Sequence, residues 1–84
     1  MNKDELINEF LKFCDDLKLD YPILNDRKTI DAIAERVEKA SIVQEKVSLK
    51  AKELINMAKE DEKEELDKII ASKIIPFLRE YYQN

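Results

Sequence analysis

From Asp26 to Lys59 the chain carries neither proline nor glycine, and its apolar residues return at helical intervals through Ile30, Ile33, Val37, Ala40, Val47, Ala51, Leu54 and Ala58. Steps of three and four hold such side chains on one stripe, because each residue turns a helix by about 100°. Gln44 is the one polar member of the stripe. An unbroken helix over this stretch would be about 50 Å long at 1.5 Å per residue, longer than a small domain is wide. The flanking segments must then fold back along it or pair across a dimer.

Eighty-four residues supply at most one core, so the apolar side chains have to be used efficiently. A hydrophobic content of 44% beside 40% charged residues is the balance of amphipathic helices and not of a disordered chain. Glycine is absent altogether. Hairpin turns and phosphate-cradling loops rely on glycine for positive φ, so its absence argues against both and leaves an all-α fold.

The expected architecture is a small helical bundle forming a single domain over residues 1–84. It has three helices at about 3–19, 26–59 and 62–82, the central one long, with a kink near Pro76. The alternative is a four-helix antiparallel bundle broken near Ser41, since Ser41 and Gln44 have the spacing of a capping box. Against the break stands the lack of any glycine or asparagine to end the preceding helix.

Asn2 or Asp4 caps the first helix, whose Leu6, Ile7, Phe10, Leu11, Phe13, Cys14 and Leu17 cover an arc of about 160° and call for two neighbours. Tyr21-Pro22 forces an extended residue, with Ile23 and Leu24 tucked beneath the connection. Asn25 or Asp26 serves as N-cap of the central helix, with Thr29 a later alternative. In the last helix Asp61 and Glu64 have capping-box spacing. Leu66, Ile69, Ile70, Ile74, Phe77, Leu78 and Tyr81 form a broad apolar face that Pro76 interrupts.

Fifteen basic against nineteen acidic residues give a net charge of −4, which repels a polyanion. The segment Thr29 to Val37 resembles the opening of a helix-turn-helix, with Val47 to Lys50 placed in a second helix. The spacing is too long and the turn glycine is missing, so no direct nucleic-acid binding is expected. No apolar run approaches the roughly 20 residues that span a bilayer, and Met1 to Glu5 lacks a signal-peptide core, so the expected location is cytoplasmic, without membrane contact.

The absence of histidine removes the commonest general base and metal ligand together with the Ser-His-Asp triad. Cys14, the only cysteine, is flanked by Phe13 and by Asp15 and Asp16, which favours packing over thiolate chemistry. The adjacent carboxylates Asp15-Asp16 and Glu64-Glu65 diverge by about 100° on a helix and do not converge on a bond. No catalytic residue, metal ligand or cofactor is therefore expected.

What is left is binding. The chain is expected to be a non-enzymatic helical protein acting through another protein, as a regulator, inhibitor or immunity-type factor. Its size and helical layout are similar to those of small bacteriocin immunity proteins, a likeness of architecture without a shared motif. The alternative is a structural or assembly subunit of a phage or nucleoprotein complex. Candidate partner residues are Ile42 and Leu49, seven apart and off the main stripe, which suggest a homodimer; Glu62, Glu64 and Glu65, in an acidic run that can imitate a phosphate backbone; and Tyr82, an aromatic anchor.

Overall fold

The computed structural model describes residues 1–23 and 29–83 and contains three α-helices: α1 (Lys3–Asp20), α2 (Ile30–Met57) and α3 (Lys63–Gln83). Asn2 caps α1, its side-chain oxygen accepting from the Glu5 N–H at 2.8 Å, while Asp4 and Glu5 complement the positive pole in the first turn. Thr29 does the same for α2, accepting from the Ala32 N–H at 3.1 Å. Thr29 is thus the cap from which the central helix starts. Leu24, Asn25 and Asp26 lie outside the described residues.

The central helix runs through Ser41 without a break, so the four-helix alternative does not hold. Nothing in the sequence could stop it there, and Val43 and Val47 on either side of Gln44 are both fully buried. The helices end without any left-handed residue among those described. At Ala58 the backbone turns to φ −74°, ψ 157°, and at Tyr21 to φ −127°, ψ 64°. Only Ala58 is extended, but neither terminus needs a left-handed residue, which suits a chain that has no glycine to spend there. The first bond of α3 runs from the Leu66 N–H to the Glu62 carbonyl at 2.9 Å, which puts Glu62 rather than Asp61 at the cap. α3 continues through Pro76 as one helix.

The chain runs up, down and up. Lys3 and Lys18 of α1 pair with Glu65 and Glu80 of α3 at 2.8 and 3.2 Å, a constant offset that makes α1 and α3 parallel. α2 lies antiparallel to both, with Lys50 over the Phe13 ring and Lys39 bonded to the Pro22 carbonyl. One hydrophobic cluster takes residues from all three: Leu6, Phe10, Cys14 and Leu17 from α1; Val43, Val47, Ala51 and Leu54 from α2, with Ala58 after it; Leu66, Ile70, Phe77 and Tyr81 from α3. Burying a large apolar side chain contributes about 1.5–3 kcal/mol, so this interlocked set holds the bundle together. No charged or polar side chain is buried among the described residues.

The core stripe of α2 differs from the one read along the sequence. It passes through Val43, and half-buried Ala40, packed against the cluster, is its last member toward the start of the helix. Ile30, Ile33 and Val37, expected to belong to it, are 85%, 47% and 63% exposed. The cause is length. At 1.5 Å per residue the 28 residues of α2 reach about 42 Å, against about 27 Å for the 18 of α1 and about 31 Å for the 21 of α3. The first two turns of α2 therefore overhang the ends of their neighbours, and the described bundle measures 49 × 17 × 15 Å.

Candidate functional site

The overhang is built by one cap and one length mismatch. Thr29 starts α2 early, and α3, antiparallel to it, ends at Gln83 beside the second and third turns. Ile30, Ile33 and Val37 stand at the first, fourth and eighth positions of α2 and are exposed there. Where α3 ends, a cleft of about 370 Å³ opens between the two helices, lined by Arg36, Val37, Ala40, Ser41, Gln44 and Tyr82. Val37 belongs to both features, so stripe and cleft are continuous.

The electrostatics of the cleft are one-sided. Arg36, Ser41, Gln44 and Tyr82 can all donate hydrogen bonds, and among the described residues no acidic side chain lines the space. Glu35, next to Arg36 in sequence, is held by Lys39 at 3.0 Å. The Nη1 atom of Arg36 is enclosed by protein with no hydrogen-bond partner, a costly arrangement for a charged donor. Beneath the cleft Tyr81 is fully packed and donates its hydroxyl to the Tyr21 carbonyl at 2.7 Å. Burial pushes the Tyr81 phenol above its ordinary pKa, its neighbour Tyr82 adds to the rise, and the Arg36 charge opposes it. The rings of Phe77, Tyr81 and Tyr82 follow one another at 6.1 and 5.9 Å between centroids and fix the wall on the α3 side.

A second concavity of about 440 Å³ lies between α1 and α3, where Phe10, Leu11, Cys14, Pro76 and Phe77 supply apolar surface and Lys18 and Glu80 are already paired. Cys14 is buried there. Its thiol is pushed up to about 11, chiefly by burial and further by the Asp15 carboxylate, so almost none of it is thiolate near neutral pH. Among the described residues no three histidine, cysteine or acidic side chains gather as metal ligands would. No described helix is long and apolar enough to cross a membrane.

The candidate partner residues do not form one patch. Leu49 is 58% exposed on α2 and Ile42, one heptad before it, is half-buried. Glu62, Glu64 and Glu65 sit at the start of α3, some 25–30 Å along the bundle from Tyr82 at its end. Much of the acidic run is neutralised where it stands: Glu60 holds Lys63 at 3.1 Å, Glu64 holds Lys68 at 3.5 Å and Glu65 holds Lys3 at 2.8 Å. Of the candidates, Tyr82 lines the cleft between α2 and α3. The overhang residues and Arg36 were not among the candidates. Periodicity gives the same signal for a buried stripe as for an exposed one, and only the unequal helix lengths separate them. Comparison with models of known protein families, with curated proteins and with solved structures finds no match to this chain.

Proposed function

We propose that this chain works without catalysis, by binding another protein in the cytoplasm as a regulator, inhibitor or immunity-type factor, and that the α2 overhang is where it binds. The observation that supports this is the exposure of Ile30, Ile33 and Val37 on consecutive turns of a capped helix. Three large aliphatic side chains at helical spacing form an apolar contact strip, and contiguous exposed strips of this kind on small proteins mark interaction surfaces. A capped helix presents them pre-ordered, which lowers the entropy lost on association. Knob-like side chains at i, i+3 and i+7 suit a groove or a facing helix on the partner.

The overhang also favours a second reading, a homodimer or a larger assembly in which copies cover one another's strips. Light scattering after size exclusion across a concentration series tests both readings, using wild type, the double variant Ile33→Lys/Val37→Lys, and Leu49→Lys as an exposed apolar control. Self-association that disappears in the double variant alone supports the homodimer. A monomer whose capture of one discrete protein is lost in the double variant and kept in Leu49→Lys supports the regulator. If the double variant changes neither the mass nor the capture, the overhang is not the binding surface and the proposal fails.

A further inference from the structure

We infer that the cleft beside the overhang is a carboxylate-binding subsite, and that its occupant is an acidic side chain of the partner protein carried next to apolar residues. The inference rests on the protein-binding reading above and deepens it. Arg36 is its centre. An enclosed guanidinium nitrogen without an acceptor is a poor resting state for a group that seeks up to five hydrogen bonds. Ser41, Gln44 and Tyr82 add neutral groups that can donate as well as accept, so the Arg36 guanidinium is the one charge among the described lining residues and has no counter-charge there. No acid among the described residues lines it, although the chain as a whole carries a net charge of −4. Glu35, the nearest acid in sequence, is engaged by Lys39.

The shape of the site selects among anions. A guanidinium matches the planar pair of oxygens of a carboxylate through two parallel N–H bonds. Val37 and Ala40 give the same cleft an apolar wall, continuous through Val37 with the exposed Ile33 and Ile30. A segment that places aliphatic side chains against the strip and an aspartate or glutamate one turn away would satisfy both features at once. Arg36, half-buried, lines the cleft, and binding there requires its side chain to turn the fork from its enclosed position toward the occupant.

The test uses hexanoate as probe on the full chain, followed by two-dimensional NMR of the backbone amides and of the Arg36 side-chain Nε–H. Saturable shifts at Arg36, Ala40, Ser41 and Gln44 are expected with hexanoate, while hexanol and inorganic phosphate bind about tenfold more weakly or worse. Arg36→Gln should lose this preference and Arg36→Lys should keep part of it, with circular dichroism confirming that both are folded. Equal binding of hexanol or phosphate, shifts that persist in Arg36→Gln, or no saturable shift would overturn the inference. In that event a capture still lost in Ile33→Lys/Val37→Lys would leave the broader reading standing. Hexanoate held in the cleft with capture indifferent to the overhang variants would instead overturn the protein as occupant.

Discussion

Replacing Leu54 and Ile30 by alanine, one at a time, asks the same chemical question at two points of a single helix. Leu54 is 2% exposed and packs in the common cluster, so Leu54→Ala removes buried methyl groups and leaves a cavity, at a cost of about 2–5 kcal/mol. Ile30 is 85% exposed, so only about a seventh of the ~1.5–3 kcal/mol of full burial is at stake, or ~0.2–0.5 kcal/mol. Alanine returns a few tenths of a kcal/mol through its better helix propensity. The net change at Ile30 is therefore expected to lie within about 0.5 kcal/mol of zero. Against a total stability of roughly 4–13 kcal/mol for 84 residues, the two variants separate cleanly. Urea unfolding followed by circular dichroism at 222 nm, with a slope of about 1 kcal/mol per molar, should move the Leu54→Ala midpoint down by 2 M or more and leave the Ile30→Ala midpoint nearly unchanged. The measurement is repeated at two protein concentrations. A cost above about 1 kcal/mol at Ile30 that does not vary with concentration would refute the overhang, because the chain itself would then be covering that side chain.

Three further outcomes are expected. Tyr81→Phe keeps the ring among Phe77 and Tyr82 but leaves the Tyr21 carbonyl without its 2.7 Å donor, costing about 1 kcal/mol by denaturant unfolding; no change would mean that the hydroxyl does not tie α3 to the end of α1. Cys14, with its thiol raised to about 11, should react with iodoacetamide at pH 8 about a hundredfold more slowly in the folded chain than in urea. Because the folded state holds that proton more tightly than the unfolded state, the thiol's contribution to stability is complete below pH 9 and is lost as the pH rises toward 11; a rapid reaction in the native protein would contradict the burial. Pro76→Ala restores a backbone donor for the Ser72 carbonyl inside α3 and should stabilise the chain by about 1–3 kcal/mol, and a loss of stability would show that the helix is shaped around the ring.

The helices themselves were legible because local chemistry decides them. Asn2 and Thr29 are good caps wherever they stand, and a stretch without glycine or proline has no means of ending at Ser41. The face each helix buries was legible in α1 and α3, where Leu6, Phe10, Cys14 and Leu17, and Leu66, Ile70, Phe77 and Tyr81, keep two neighbours along their whole length. It was only half legible in α2. Periodicity describes direction around the axis and carries no information on how far along the axis a neighbour extends, so Ile30 and Leu54 look alike until the lengths of α1 and α3 are known. Val43 escaped notice because Gln44 sits as well on a regular stripe; the tilt of the packed helices selects between them. Arg36 gave no signal at all. An arginine among glutamates reads as solvated surface, and its missing acceptor is a property of the assembled end of the bundle.

The parallel arrangement of α1 and α3 separates the contacts of this bundle into two kinds. α2 and α3 meet across a five-residue turn, Ala58 to Glu62, so their pairing closes a very short loop. The pairing of Lys3 with Glu65 and of Tyr21 with Tyr81 joins residues 62 and 60 positions apart. Loop-closure entropy grows with separation, so the α2–α3 hairpin, closed by five residues, should assemble before the α1–α2 pairing, closed by nine, and the α1–α3 contacts should form last. Substitutions at Ala58 and Leu66 would then slow folding, whereas substitutions at Phe10 and Leu17 would mainly hasten unfolding. α1 becomes the element whose release opens the chain, and slow hydrogen exchange should persist longest along the two helices it leaves behind.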